Sequence, residues 1–128
     1  MAVLSIAILA ALVAPFVIHE LGHYAVLFFR MPKGARPYPW KFFRWDGGFR
    51  LIWTIPAGLN RRETREILIA GFVAEILGSA LFALGAIWDV RMISLAVLYT
   101  VVAAGHLWHY AVNPGKSDDL LNLSLYKD

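Results

Sequence analysis

Residues 67–88 read ILIAGFVAEILGSALFALGAIW, 22 positions with a single ionisable side chain, Glu75. An apolar run of about 20 residues is long enough to cross a bilayer. Without water its backbone must satisfy itself, so the run is predicted to be a helix. Similar stretches lie on either side. Upstream, Ala2 to Ile18 carries no charge, and after His19-Glu20 the apolar character resumes over Leu21–Phe29. Downstream, Met92–Val112 is 21 residues whose side chains titrating near neutral pH are His106 and His109. The first stretch has no Lys or Arg before it and exceeds a usual signal-peptide core, so it reads as a spanning helix and not a cleaved leader. Helices are therefore expected at about 2–30, 61–88 and 92–112. The fold class is an all-α membrane protein in a single domain, 1–128. Composition agrees: 59% of residues are hydrophobic and 16% charged, where a soluble domain has about a quarter charged. This excludes a disordered chain and a free-standing soluble enzyme.

Basic residues set the expected orientation. Nine of the twelve lie between the first two apolar runs: Arg30, Lys33, Arg36, Lys41, Arg44, Arg50, Arg61, Arg62 and Arg65. Lys116 and Lys127 are in the tail, and Arg91 alone sits in the turn between the second and third helices. The positive-inside rule then puts the long loop and the C-terminus in the cytoplasm and the N-terminus outside. A net charge of +3, dispersed in this way, gives no reason to expect a nucleic-acid partner. The chain has no cysteine, which excludes disulfides, iron–sulfur clusters, Cys-ligated zinc and a thiol nucleophile.

Inside the loop, Trp40–Trp45 and Phe49–Ile55 are aromatic and β-rich around Asp46-Gly47-Gly48. Asp-Gly between such runs predicts a β-hairpin over about 40–55, and its mixture of aromatic and basic residues suits a membrane–water interface. Pro56 and Gly58 close it. Asn60 followed by Glu63 has the pattern of a helix N-cap with its reciprocal acid.

The chemistry is carried by His19-Glu20-Leu21-Gly22-His23, an H-E-x-x-H motif. Positions i and i+4 share a helix face, so both imidazoles can meet one Zn²⁺, with Glu20 placed as general base toward a water. Two His and a Glu in a spanning helix are costly without a partner, on the order of 3 kcal/mol for an ionised acid at mid-membrane, and a metal offsets that cost. At 1.5 Å per residue His19 lies about 25 Å from the helix start, just inside the cytoplasmic boundary of a core about 30 Å thick. Pro15, one turn earlier, removes a helical N–H and can bend the helix.

A catalytic zinc takes three protein ligands. The candidates for the third are Glu75, His106, His109, Asp118 and Asp119. Asn113-Pro114-Gly115 breaks the third helix, and Ser117 can cap a short final segment with Asp118 and Asp119 in its first turn. That position favours ionised carboxylates and returns them to the level of His19 and His23. The tail acids are therefore preferred, and Asp118 over Asp119 by its place after Ser117. Glu75, a lone acid deep in a span, is a functional candidate or an interhelical hydrogen-bonding group. His106 and His109 are read as donors behind the ligands, as substrate contacts or as interfacial residues.

With these residues the chain resembles the site-2 protease family of intramembrane zinc metalloproteases. That family has a three-helix core whose first helix carries H-E-x-x-H, followed by a β-rich membrane-associated segment, matched by 40–55. The middle-helix pattern A-G-P-x-A-N is matched in part by Ala70-Gly71-Phe72-Val73-Ala74-Glu75, with Phe72 in place of Pro and Glu75 in place of Asn. The ligand-bearing N-x-x-P…L-D-G stretch has its counterpart in Asn113–Asp119, without the following Gly. The resemblance implies a minimal core that binds Zn²⁺ through His19, His23 and Asp118, uses Glu20 as catalytic base, and cleaves a membrane-protein or peptide substrate within the lipid bilayer. Two other classes are weighed. One is a non-catalytic metal-binding regulatory or interaction protein, which would not need Glu20. The other is a di-iron oxidase built on 19–23 and 106–109, for which four histidines are too few.

Overall fold

The structure is a computed structural model that describes residues 2–36, 38, 43–45, 51–53 and 58–113. Three helices, α1 (Ala2–Arg30), α2 (Arg61–Trp88) and α3 (Met92–Val112), pack against one another. Each contains a stretch long and apolar enough to cross a membrane. A single 3₁₀ turn, Lys33–Ala35, follows α1.

Two three-residue strands, β1 (Phe43–Trp45) and β2 (Leu51–Trp53), pair antiparallel with Phe43 opposite Trp53 and Trp45 opposite Leu51. This ladder lies within the hairpin expected over 40–55. The rest of that expectation, Asp46-Gly47-Gly48 included, lies outside the described residues.

The bundle buries several polar and small residues and turns much of its apolar surface outward. Leu9, Leu81, Ile87 and Val101 are all more than 60% exposed, whereas His19, His23, Thr64 and Glu75 are at most 2% exposed. In water such an arrangement would be inverted; with lipid as the solvent, large apolar side chains face outward and small or polar residues form the helix contacts. Gly22 brings α1 against α2, since a Cβ there would lie 2.5 Å from the Ala70 carbonyl oxygen. Pro15 is fully buried within α1.

The ends are set locally. Asn60 Oδ1 accepts from the Glu63 N–H while Glu63 Oε2 accepts from the Asn60 N–H, each at 2.9 Å, forming the reciprocal cap that opens α2. Gly58, at φ +94°, makes the preceding turn in a region that side chains disfavour. Leu27 and Ile67 form a small apolar core at this end; Arg30 pairs with Glu66 across α1 and α2, and Arg62 pairs with Glu66 along α2. At the opposite end only residues 89–91 separate α2 from α3. There Asp89 accepts from the Arg91 N–H at 2.9 Å and from its guanidinium at 2.8 Å. These bonds hold the Asp89 carboxyl below the ordinary carboxylate range.

A candidate metal centre where three helices meet

His19 and His23 lie one turn apart on α1 and point at α2. His23 Nδ1 is 2.7 Å from the Ile67 carbonyl oxygen. A carbonyl only accepts, so Nδ1 donates, and the Nε2 of neutral His23 carries a lone pair. His19 Nδ1 is 3.1 Å from Glu75 Oε2. An ionised carboxylate also only accepts, which leaves His19 Nε2 with a lone pair as well. The two Nε2 atoms face each other at 3.1 Å. Lone pairs so placed repel unless a positive centre lies between them, either a proton or a metal ion. Two nitrogens on one tetrahedral zinc are about 3.3 Å apart, so the rings need shift only slightly to share one.

Gly71 on α2 looks onto the same point. A Cβ at this position would stand 2.5 Å from His23 Nε2 and 2.9 Å from His19 Nε2. The missing side chain lets the α2 backbone approach both nitrogens closely, and a pair of facing imidazole nitrogens suits a small divalent cation.

Glu75 follows one turn later, fully buried. Its Oε1 and Oε2 lie 3.0 and 3.1 Å from His106 Nδ1 on α3. One carboxylate thus joins imidazoles from two other helices. His19, Glu75 and His106 also converge closely enough among the described residues to hold a metal ion, their ligand atoms all within 4.8 Å. Two candidate cation positions therefore share His19: one with His23, the other with Glu75 and His106. Aromatic rings wall the cluster. Phe16 packs edge-on to His106 at 4.7 Å, Phe72 edge-on to His19 at 4.9 Å, and Tyr110 against His106 at 4.4 Å. Excluding water in this way strengthens every polar contact inside.

Of the residues singled out from sequence, His19, His23, Glu75 and His106 come together. Glu20 is half-buried beside them in the chain, with one carboxylate oxygen buried. His109 is exposed. Asp118 and Asp119 lie outside the described residues. The sequence reading missed the part played by Gly71 and Tyr110. Gly71 had a usable signal, because it precedes Glu75 by four residues and so shares its helix face. Tyr110 had none, since only the packing of α3 brings its ring to His106.

No protein-family model matches the chain, and neither does any curated protein or solved structure.

Proposed function

We propose that the chain is an intramembrane zinc metalloprotease of site-2 protease type, hydrolysing peptide bonds in or near a membrane segment of another protein. The observation that carries this reading is the pair of facing Nε2 atoms, 3.1 Å apart, packed against Gly71. His19 and His23 would hold the ion through Nε2, with Asp118 as the third ligand. A zinc ion held there would supply an acidified water and a polarised scissile carbonyl. Glu20 would accept the proton of the attacking water and return it to the leaving nitrogen. The aromatic wall keeps bulk water from the cluster. The β1–β2 ladder offers an edge on which an unwound substrate strand can pair. The loop and site face the cytoplasm, as the basic residues direct.

A second reading is favoured by the convergence of His19, Glu75 and His106. A metal seated there would serve a binding or regulatory protein with no hydrolytic step.

Glu20→Gln separates the two. Under the protease reading this variant retains zinc by elemental analysis and loses cleavage by several orders of magnitude, because Glu20 handles protons and is not a ligand. Comparing membrane proteomes of cells carrying wild type and Glu20→Gln identifies the cleaved proteins. Identical proteomes, or loss of zinc together with Glu20, would sink the reading.

A further inference from the structure

The structure assigns to Glu75 and His106 a joint positioning role: His106 holds the Glu75 carboxylate, and Glu75 holds the Nδ1–H of His19, so that His19 Nε2 is aimed at His23 Nε2. This inference rests on the proposed His19–His23 metal site and deepens it, because it makes the site depend on a third helix that contributes no ligand to it.

The geometry carries the argument in three steps. His19 and His23 are equivalent in the motif but anchored differently. His23 takes its orientation from a backbone oxygen of α2, Ile67, at 2.7 Å. That acceptor cannot be removed by changing a side chain. His19 depends on the Glu75 side chain, at 3.1 Å. A carboxylate on a flexible stem orients a ring only if it is itself held, and His106 Nδ1 lies 3.0 and 3.1 Å from its two oxygens. His106 is in turn packed between the rings of Phe16 and Tyr110. Ligating histidines generally pass their second N–H to a carboxylate or carbonyl, which sets the tautomer and raises the basicity of the ligating nitrogen. Here the two motif histidines use one acceptor of each kind, and the carboxylate is shared with α3. Finally, Glu75 is fully buried, and such a group at membrane depth requires partners; two imidazoles supply them.

The test uses the full chain in detergent micelles and two readouts. The first is Zn²⁺ affinity by calorimetry. Glu75→Leu, which removes the acceptor, is expected to weaken binding by about 10–100-fold. Glu75→Gln, whose amide oxygen still accepts from His19, weakens it less, and His106→Phe produces a loss between that of Glu75→Gln and that of Glu75→Leu. The second readout is metal-free NMR of ¹⁵N-histidine-labelled protein. Glu75→Leu should abolish the hydrogen-bonded Nδ1–H resonance of His19 and leave that of His23, which a general loss of packing would not do. Two results would overturn the assignment: Zn²⁺ affinity of Glu75→Leu within twofold of wild type with the His19 resonance unchanged, or Glu75→Gln losing zinc as completely as His23→Ala, which would make Glu75 a ligand. A different result marks failure of the metal-site reading itself: His23→Ala binding Zn²⁺ as tightly as wild type. The His19 resonance then still decides whether Glu75 orients that ring.

Discussion

Gly71 and Gly78 sit two turns apart on α2, and neither has room for a Cβ, yet the crowding has different consequences. At Gly71 the neighbours are the two imidazole nitrogens His19 Nε2 and His23 Nε2. At Gly78 they are the Tyr99 hydroxyl and ring, with Ile18 beyond. Tyr99 is fully buried, stacks on Phe82 at 4.6 Å and donates to the Glu75 carbonyl oxygen at 3.3 Å. One glycine opens onto groups with lone pairs to share, the other onto a ring already satisfied. The same small residue thus admits two imidazole nitrogens in one layer of the bundle and a buried tyrosine in the next.

The comparison predicts opposite phenotypes for one added methyl group. Gly71→Ala should displace both rings from the Ile67 and Glu75 anchors and lower Zn²⁺ affinity by about 100-fold, the upper end for a lost orienting partner. Equilibrium dialysis measures this, and unchanged affinity would mean that the ion does not sit between these two nitrogens. Gly78→Ala should instead cost about 1–3 kcal/mol through overpacking, read by unfolding in mixed micelles, with Zn²⁺ affinity within a few-fold of wild type. Tyr99→Phe should be milder, about 0.6 kcal/mol, the usual worth of an interhelical hydrogen bond in a membrane. A larger loss would show that the hydroxyl also steadies Glu75. The smallest effect belongs to the exposed Asp89–Arg91 turn. Arg91 lowers the Asp89 pKa in the folded chain, so its contribution is present above the ordinary carboxylate range and fades as pH falls through the lowered value. Asp89→Asn should flatten that slight acid dependence and leave metal binding alone, which unfolding curves at several pH values would check.

Much of the fold was legible because spanning helices are written in long apolar runs, and the α2 cap because Asn60 and Glu63 stand three residues apart. His19 and His23 were legible as a pair because their spacing alone puts them on one face. The link to Glu75 and His106 was not, since it depends on how α2 and α3 rotate against α1. Sequence left Glu75 between a functional role and a helix contact, and the geometry gives it both kinds of partner. His106 and His109 looked alike in sequence. They differ by three positions on α3, enough to cover most of one and expose the other. Asp118 and Asp119 keep the status of expectations, in residues 114–128 beyond those described.

The short 89–91 link between α2 and α3 gives the molecule a seam. Those two helices form a single hairpin, whereas α1 reaches α2 through the long segment 31–60. His19, Glu20 and His23 travel with α1; Gly71, Glu75 and His106 travel with the hairpin. A chain severed within 31–60 would therefore yield two fragments, each holding half of the centre, and co-expression of both should restore what neither possesses. Parting of α1 from the hairpin would separate these two sets of residues at once.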